Sequence, residues 1–316
     1  MKTTIQALLV IISFAFFSCE KTDEVSTSDL TAAQLKSASI AVNDVAVQSV
    51  SEEADYEADF YAEYEHMLRQ LAHFKGKKGN LLAGQGHNHY VEGQAPIVSI
   101  DTAAAGYPIT ISIDYGDGIE TNHGRLISGK VTIGISGAKD TDGSTRTVVY
   151  TNCVIDSIGV NGKCIETFNG DNATTRKMTT ASDVVFTLVA DGTKITRVGN
   201  HVREWLKGID TPKERTDDMI QVTGSIKVET SAGVKYARMI TEPLIKLGDC
   251  RHHVQGIVEY SQNGSVIATL DYGDGECDNL ANLTTEGTTV EIELKGKMPK
   301  AKTEGMHKGP GHGKGK

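Results

Sequence analysis

The chain has 316 residues and a formal net charge of −9, with 39% hydrophobic residues, 6% aromatic residues and 33 glycines against six prolines. The charge is uneven, because residues 295–316 hold seven lysines and one glutamate and so leave −15 on residues 1–294. A body this acidic repels phosphate backbones, which argues against a nucleic-acid partner. The glycines and the runs of Val, Ile and Thr argue against a helical bundle, and no apolar stretch is long enough for a transmembrane helix.

The first residues have the pattern of an export signal. A short basic start is followed by an apolar run over residues 5–17, and Cys19 stands where a signal peptidase would cut. Residues 16–19 (FFSC) resemble a bacterial lipobox, in which the cysteine is acylated, with palmitate among the acids, and acyl chains hold a soluble domain at a bilayer. We therefore expect a lipoprotein signal peptide over residues 1–18, lipid attachment at Cys19, and an outer-membrane lipoprotein that faces either the cell surface or the periplasm. An ordinary secretory signal is the alternative.

A tether and one helix are predicted next. Residues 19–50 are polar and rich in Ser, Thr and Ala, which predicts a flexible tether. A helix is predicted over residues 51–75, because Ser49 and Glu52 have capping-box spacing and an apolar stripe follows at helical steps over Phe60, Tyr64, Met67, Leu71 and Phe74. We expect the stripe to dock on the protein's own core; a partner-binding or dimerising helix is the alternative. Residues 76–95 are rich in Gly, Lys and His and predict a linker.

From residue 96 to residue 296 the pattern changes to period two with many β-branched residues, which predicts a β domain. Turn signals such as Asn161-Gly162 and Asn263-Gly264 separate the runs, and connections this short make neighbouring strands antiparallel. The predicted fold class is all-β: a long antiparallel β-meander of about ten to twelve strands, either a curled sheet or a barrel-like closure, preceded by one amphipathic helix. The stretch 206–218 predicts a long loop, and residues 297–316 predict a disordered basic tail.

One phrase occurs twice, at the two ends of the β domain. Residues 114–118 and 271–275 both read Asp-Tyr-Gly-Asp-Gly. The phrase predicts a strand that ends in a tight turn, where glycine supplies positive φ and aspartate caps backbone amides. No cofactor is predicted from these turns, but calcium is the one ion that they would suit, since it prefers several carboxylate oxygens. The residues that would supply them are Asp271, Asp274, Asp278, Asp114 and Asp117.

Four cysteines remain besides Cys19, and in an exported chain they predict disulfides. If Asn263-Gly264 is a two-residue turn, the hairpin register places Cys250 opposite Cys277. Cys153 and Cys164 flank another hairpin and form the natural second pair. A redox or zinc site is the alternative, although no CxxC spacing is present.

Histidines and paired acids are the remaining chemical groups. The pairs in question are His87 with His89, His252 with His253, and Asp217 with Asp218. Imidazoles bind transition metals and carboxylates serve glycoside chemistry, yet the sequence contains no HExxH motif, phosphate loop or nucleophile elbow. Linker, sheet-surface and loop positions account for these residues equally well, so no catalytic residue is predicted.

The order of motifs along the β domain resembles a family of uncharacterised Bacteroidetes lipoproteins. The resemblance covers about residues 96–296 and rests on the two Asp-Tyr-Gly-Asp-Gly phrases, Gly129-Lys130, Asn152, Trp205 with Gly208, Asp217-Asp218, Val222-Thr223-Gly224, Pro243-Leu244, Cys250 and Gly256. It implies an envelope address and a β fold, and it implies no activity.

The predicted function is that of a lipid-anchored envelope protein that acts as a binding or structural module. A role without catalysis is favoured over an enzymatic one. Its partners would be the membrane, through the lipid, and an envelope polymer or protein. A hydrolase or metalloenzyme that uses His252, His253 or the acidic loop is the alternative, and a fixed cluster of histidine and carboxylate in one concave pocket would favour it.

Overall fold

The structure, a computed structural model, describes residues 31–67, 89–103, 106–122, 124–138, 141–171, 173–211 and 214–294. Its first element is a helix, α1, at Ala32–Glu63. Thr31 caps the helix: its hydroxyl accepts the N–H of Gln34 (3.2 Å), and the Gln34 side chain in turn accepts the N–H of Thr31 (2.7 Å). At 32 residues, α1 is about 48 Å long. No helix in the described part of the chain combines the length and apolar character that a membrane span requires.

Thirteen antiparallel strands follow, in one sheet whose spatial order is the order of the chain. They are β1 Ile97–Thr102, β2 Ile109–Glu120, β3 Leu126–Ile135, β4 Thr145–Ile155, β5 Ile158–Gly170, β6 Arg176–Leu188, β7 Lys194–Lys207, β8 Met219–Thr230, β9 Lys235–Leu247, β10 His253–Gln262, β11 Ser265–Asp274, β12 Leu280–Thr285 and β13 Thr288–Glu293. The predicted all-β meander is therefore confirmed, as an open sheet with no closure between its first and last strands. The Asn263-Gly264 turn also has the predicted register, with Gln262 opposite Ser265.

The prediction for residues 19–50 is wrong in its second half. Residues 32–50 belong to α1, because Thr31 and Gln34 form the real capping box, eighteen positions before the one predicted at Ser49 and Glu52. The described residues of the predicted stripe do dock on the protein's own core, since Phe60 is buried and Tyr64 and Met67 pack against the core. Leu71, Phe74 and Cys19 lie outside the described residues.

The sheet curls around α1. Helix side chains bond to strands far apart in the sheet: Glu57 to Tyr115 on β2, Asp59 to Arg146 on β4, and Gln34 to Thr288 on β13. One flat face of a sheet this wide could not reach a single helix at all these strands, so the sheet must be concave towards α1. Its inward residues alternate with solvent-facing ones, and the core lies between the concave face and the helix.

One of the two predicted disulfides is present. Cys250 and Cys277 are bonded, with a Cα–Cα distance of 5.6 Å, as the hairpin register predicted. The predicted bond between Cys153 and Cys164 is wrong, because both are free and buried. The β4–β5 register explains this: Cys153 lies opposite Val160, whereas Cys164 lies opposite Val148, which precedes Cys153 by five positions in β4.

Candidate functional site

Buried carboxylates of α1 hold the helix inside the sheet. On one side Glu57 is 3% exposed and accepts hydrogen bonds from Tyr90 (2.8 Å) and Tyr115 (2.7 Å), with His89 Nε2 2.5 Å away. Burial alone would raise the pKa of Glu57, but His89 and the tyrosine hydroxyls hold it below its ordinary range. We call Glu57, Tyr61, His89, Tyr90 and Tyr115 the Glu57 cluster.

Two further carboxylates of α1 bind arginines on the strands. Asp44 is 3.1 Å from Nε of Arg238 on β9 and 3.6 Å from the guanidinium of Arg197 on β7. Asp59 is 2.5 Å from the Arg146 guanidinium and 3.4 Å from that of Arg203 on β7. These pairs cross the interior, so α1 is fixed by charge as well as by apolar contact.

Between α1 and strands β5 to β9 the packing leaves a cavity of about 530 Å³, which lies within the range of small-molecule sites. The helix presents to it a set of polar residues at helical spacing: Gln48, Ser51, Glu52, Asp55, Tyr56, Asp59 and Glu63. The strands contribute apolar walls from Phe168, Met178, Val184, Phe186, Trp205, Ile220, Val222, Ile226, Ile240 and Leu244. They also contribute five arginines, at positions 146, 176, 197, 203 and 238, with His201, Lys246 and His253, and Arg215 reaches the cavity from the loop between β7 and β8.

The space exists because small residues face α1 at the middle of β6, β7 and β8. Ser182 on β6 pairs with Gly199 on β7, and His201 pairs with Gly224 on β8. The neighbouring backbone comes close at both glycines: a Cβ would lie 2.3 Å from the Ser225 carbonyl oxygen at Gly199, and 2.3 Å from the Asn200 carbonyl oxygen at Gly224. Only glycine fits this tight bend of the sheet, and Gly224 lines the cavity there.

Two titratable groups in the cavity favour their neutral forms. Burial raises the pKa of Asp55 well above its ordinary range, with Glu166 and Asp59 acting in the same direction and Arg203 and Arg146 against it. Burial lowers the pKa of His201 to about 3, and Arg203, Arg238 and Arg197 lower it further. The imidazole of His201 is therefore neutral at pH 7 and able both to donate and to accept a hydrogen bond.

Several polar atoms at the cavity lack partners among the described residues. Nε of Arg197, Nε of Arg203 and Nε of Arg238 are buried without a hydrogen bond. Unpaired buried polar atoms cost free energy and are uncommon in proteins.

The repeated phrase has a role that the sequence did not suggest. Its two tyrosines, Tyr115 and Tyr272, point inward and are buried, and Tyr115 reaches Glu57 on the helix. The aspartates act as the turn prediction states: Asp114 accepts the N–H of Gly116 (3.0 Å) and Asp271 accepts that of Gly273 (2.9 Å).

The residues predicted for calcium are not gathered at one point. Asp114 is also paired with Lys130 (3.0 Å), and Asp278 accepts the N–H of Leu280 (3.0 Å). Across the described residues there is no group of three or more His, Cys, Asp or Glu side chains that could hold a metal ion. Calcium at Asp271, Asp274, Asp278, Asp114 and Asp117 stays a prediction.

The predicted histidines and acids divide between structure and cavity. His253 lines the cavity 3.6 Å from Glu52, which is also 3.6 Å from Lys246. His89 belongs to the Glu57 cluster, and His87 lies outside the described residues. Asp218 lines the cavity and accepts the indole N–H of Trp205 (3.2 Å), whereas Asp217 is exposed and accepts the Thr211 hydroxyl (2.6 Å).

Sequence reasoning missed the arginines of the cavity. Those on strands occupy inward positions, where inward and outward residues alternate along the strand. In β7 the residues that share the inward face are Ile195, Arg197, Gly199, His201, Arg203 and Trp205. The sequence did contain a signal: arginines occur at positions where the period-two pattern expects buried apolar residues. Because a core position rarely holds an unpaired charge, such arginines indicate buried partners or a site. Comparison with protein families, with curated proteins and with solved structures finds no match for this chain.

Proposed function

We propose that this protein is a lipid-anchored binding module of the cell envelope and that its ligand site is the cavity between α1 and β5 to β9. The observation that carries the proposal is the combination, in one partly open space of about 530 Å³, of apolar walls with polar and charged side chains from α1 and the sheet. A small molecule with both apolar and polar parts satisfies both kinds of surface.

Binding suits this geometry better than hydrolysis does. Of the residues that the hydrolase alternative would use, His253 and Asp218 of the acidic loop do line the cavity, and Glu52 lies 3.6 Å from His253. Glu52 is paired with Lys246, however, and the pKa of His253 is lowered to about 4, chiefly by burial. Within the described ranges neither group is hydrogen-bonded to a serine, threonine or cysteine side chain as a triad requires, and Glu52 instead ties α1 to β9 and β10 through Lys246 and His253.

The chain carries its own reporter for ligand binding, because its single tryptophan, Trp205, lines the cavity. The probe is anilinonaphthalene sulfonate, which joins an aromatic body to one polar group and fluoresces when it leaves water. We expect titration with this probe to quench Trp205 by energy transfer while the probe's emission rises, with saturation at one probe per chain.

A matched pair of variants tests whether the probe enters the cavity. Ser182→Phe places a ring in the cavity, whereas Ala181→Phe places the same ring on the exposed outer face of β6. We expect Ser182→Phe to weaken probe binding at least about tenfold and Ala181→Phe to leave it unchanged. Ser51→Phe narrows the cavity from the side of α1. This variant replaces Ser182→Phe in the test if Ser182→Phe lowers the melting temperature. If a folded cavity-filling variant binds the probe as tightly as Ala181→Phe does, the cavity is not the binding site.

The envelope address rests on the lipobox resemblance at residues 16–19 and, for the β domain, on the resemblance to Bacteroidetes lipoproteins. In this proposal acyl chains at Cys19 hold the domain at the outer membrane, on its surface or its periplasmic side, within reach of an envelope polymer or protein. We expect cells fed a palmitate analogue to label the protein, and the variant Cys19→Ser to lose the label. Retention of the label by Cys19→Ser would refute the anchor.

A further inference from the structure

One cation in the cavity differs from all the others there. Among the described residues no carboxylate oxygen lies within 4.0 Å of Arg176, at the start of β6. Each of the remaining cavity cations has such a carboxylate: Arg146 and Arg203 have Asp59, Arg197 and Arg238 have Asp44, Arg215 has Glu63, and Lys246 has Glu52. An arginine that is partly buried without an anion calls for a partner from outside the chain.

The Arg176 side chain is held in a position to receive that partner. Its guanidinium carbon lies 4.1 Å from the ring centroid of Trp205, so the flat cation stacks on the indole. Stacking fixes the guanidinium plane and leaves its N–H groups at the edges, where a carboxylate or sulfonate is bound by two parallel hydrogen bonds. Burial lowers the pKa of Arg176, with Asp218 as the strongest opposing charge, so its compensation inside the protein is incomplete.

The surroundings of Arg176 decide which kind of anion fits. Met178 is two positions along the same face of β6, and Ile220 lies opposite Trp205 on β8; both line the cavity with Phe168. The cationic edge therefore adjoins an apolar wall. Asp218, bound to the Trp205 indole, adds a negative charge nearby that disfavours a doubly charged group such as a phosphate monoester.

We propose that Arg176, stacked on Trp205, binds the head group of an amphipathic organic monoanion whose apolar body lies along Met178, Ile220 and Phe168. This inference rests on the proposed function, since it needs the cavity to be a ligand site. It adds the charge of the ligand and the direction in which the ligand lies.

Three probes with one chain and different heads test the inference: decanoate, decanol and decyltrimethylammonium. Trp205 fluorescence reports the affinity of each, and calorimetry gives the stoichiometry. We expect decanoate to bind at least about tenfold more tightly than decanol, because a charge-assisted hydrogen bond is worth one to two factors of ten, and decyltrimethylammonium to bind weakest.

Arg176→Gln should reduce the affinity for decanoate about tenfold or more and leave that for decanol nearly unchanged, so that the preference for the anion disappears. Lys177→Gln is the matched control, because Lys177 is the next residue on the opposite face and pairs with Glu204. It should keep the preference. Thermal melting of both variants shows whether they are folded.

The possible results separate the inference from the proposed function. Equal binding of decanoate and decanol, or an unchanged preference in folded Arg176→Gln, would refute the role of Arg176 and leave the cavity as a ligand site. A cavity that takes anilinonaphthalene sulfonate but no decyl compound would also refute it. If neither the decyl compounds nor anilinonaphthalene sulfonate binds the folded protein, the proposed function fails as well.

Discussion

The two sides of α1 meet the same sheet in different ways. Towards β2 the Glu57 cluster fills the interior, with tyrosine hydroxyls on the carboxylate and the Phe60 ring stacked on His89 at 3.7 Å between ring centroids. Towards β6, β7 and β8 the helix also carries carboxylates. The strand residues on that side include the small residues Ser182, Gly199 and Gly224, and a cavity remains between helix and sheet.

The difference lies in the size of the strand residues and not in the charge of the helix. Both sides bury carboxylates, and both bring donors from the strands to meet them. On the Glu57 side the donors are tyrosine hydroxyls, and the tyrosine rings fill the space between helix and sheet. On the other side the donors are long arginine side chains next to small strand residues, and these do not fill the space. The Glu57 side is therefore a packed structural contact, whereas the other side keeps the volume of the cavity.

The largest expected effect is on the filled side. Glu57→Ala removes the acceptor of two tyrosine hydroxyls and the partner of His89, all of which stay buried. We expect the free energy of unfolding, measured with urea, to fall by about 3–5 kcal/mol, as for other broken buried pairs. Binding of anilinonaphthalene sulfonate to the folded fraction should not change.

Glu63→Ala gives the control for that loss. Glu63 is on the same helix and pairs with Arg215 at 2.9 Å, but both side chains are about one-third exposed. Its removal should cost less than about 1 kcal/mol. A loss of similar size in the two variants would contradict the view that the Glu57 cluster is the structural side.

A smaller effect, of opposite sign, is expected on the cavity side. Because the folded-state pKa of Asp55 is raised, folding takes up a proton and the ionised carboxylate is penalised at pH values above its ordinary pKa of about 4. Asp55→Asn removes this penalty. We expect it to increase the free energy of unfolding by about 1–3 kcal/mol at pH 8, and by much less at pH 4, where wild-type Asp55 is already protonated.

Asp183→Asn is the control, since Asp183 is exposed on the outer face of β6. It should change stability by less than about 0.5 kcal/mol at either pH. If Asp55→Asn lowers stability at pH 8 more than at pH 4, the carboxylate is held as an anion, and the contrast between the two sides of the helix disappears.

The sequence was sufficient for the sheet but not for the extent of every element. Alternation and Asn-Gly turns predict the meander and place Cys250 opposite Cys277. The apolar alternation covers only the start of β7, which continues to Lys207, because Arg197, His201 and Arg203 at inward positions interrupt the pattern. The same substitution of charge for apolar residues hides the first half of α1, where Asp44 is buried against Arg238.

The cavity could not be predicted for a related reason. Its residues come from α1, from strands between β4 and β10 and from the loop between β7 and β8, and the sheet bends there at Gly199 and Gly224, which a sequence presents as turn or bulge signals. Trp205 and Asp218 stood out in the sequence, but only the register of β6 with β7 shows that Arg176 lies against Trp205. Both the cavity and the contact between Arg176 and Trp205 depend on how distant parts of the chain pair, and local sequence patterns do not show this pairing.

The linear order of the strands has a consequence for how the chain folds. Every strand pairs only with its neighbours in sequence, so each hairpin can form as soon as its two strands exist. The helix precedes all of them in the chain, yet it bonds to residues as distant as Thr288, 254 positions from Gln34. Its seating closes the longest loops of the described fold, and we expect this step to follow the pairing of the strands.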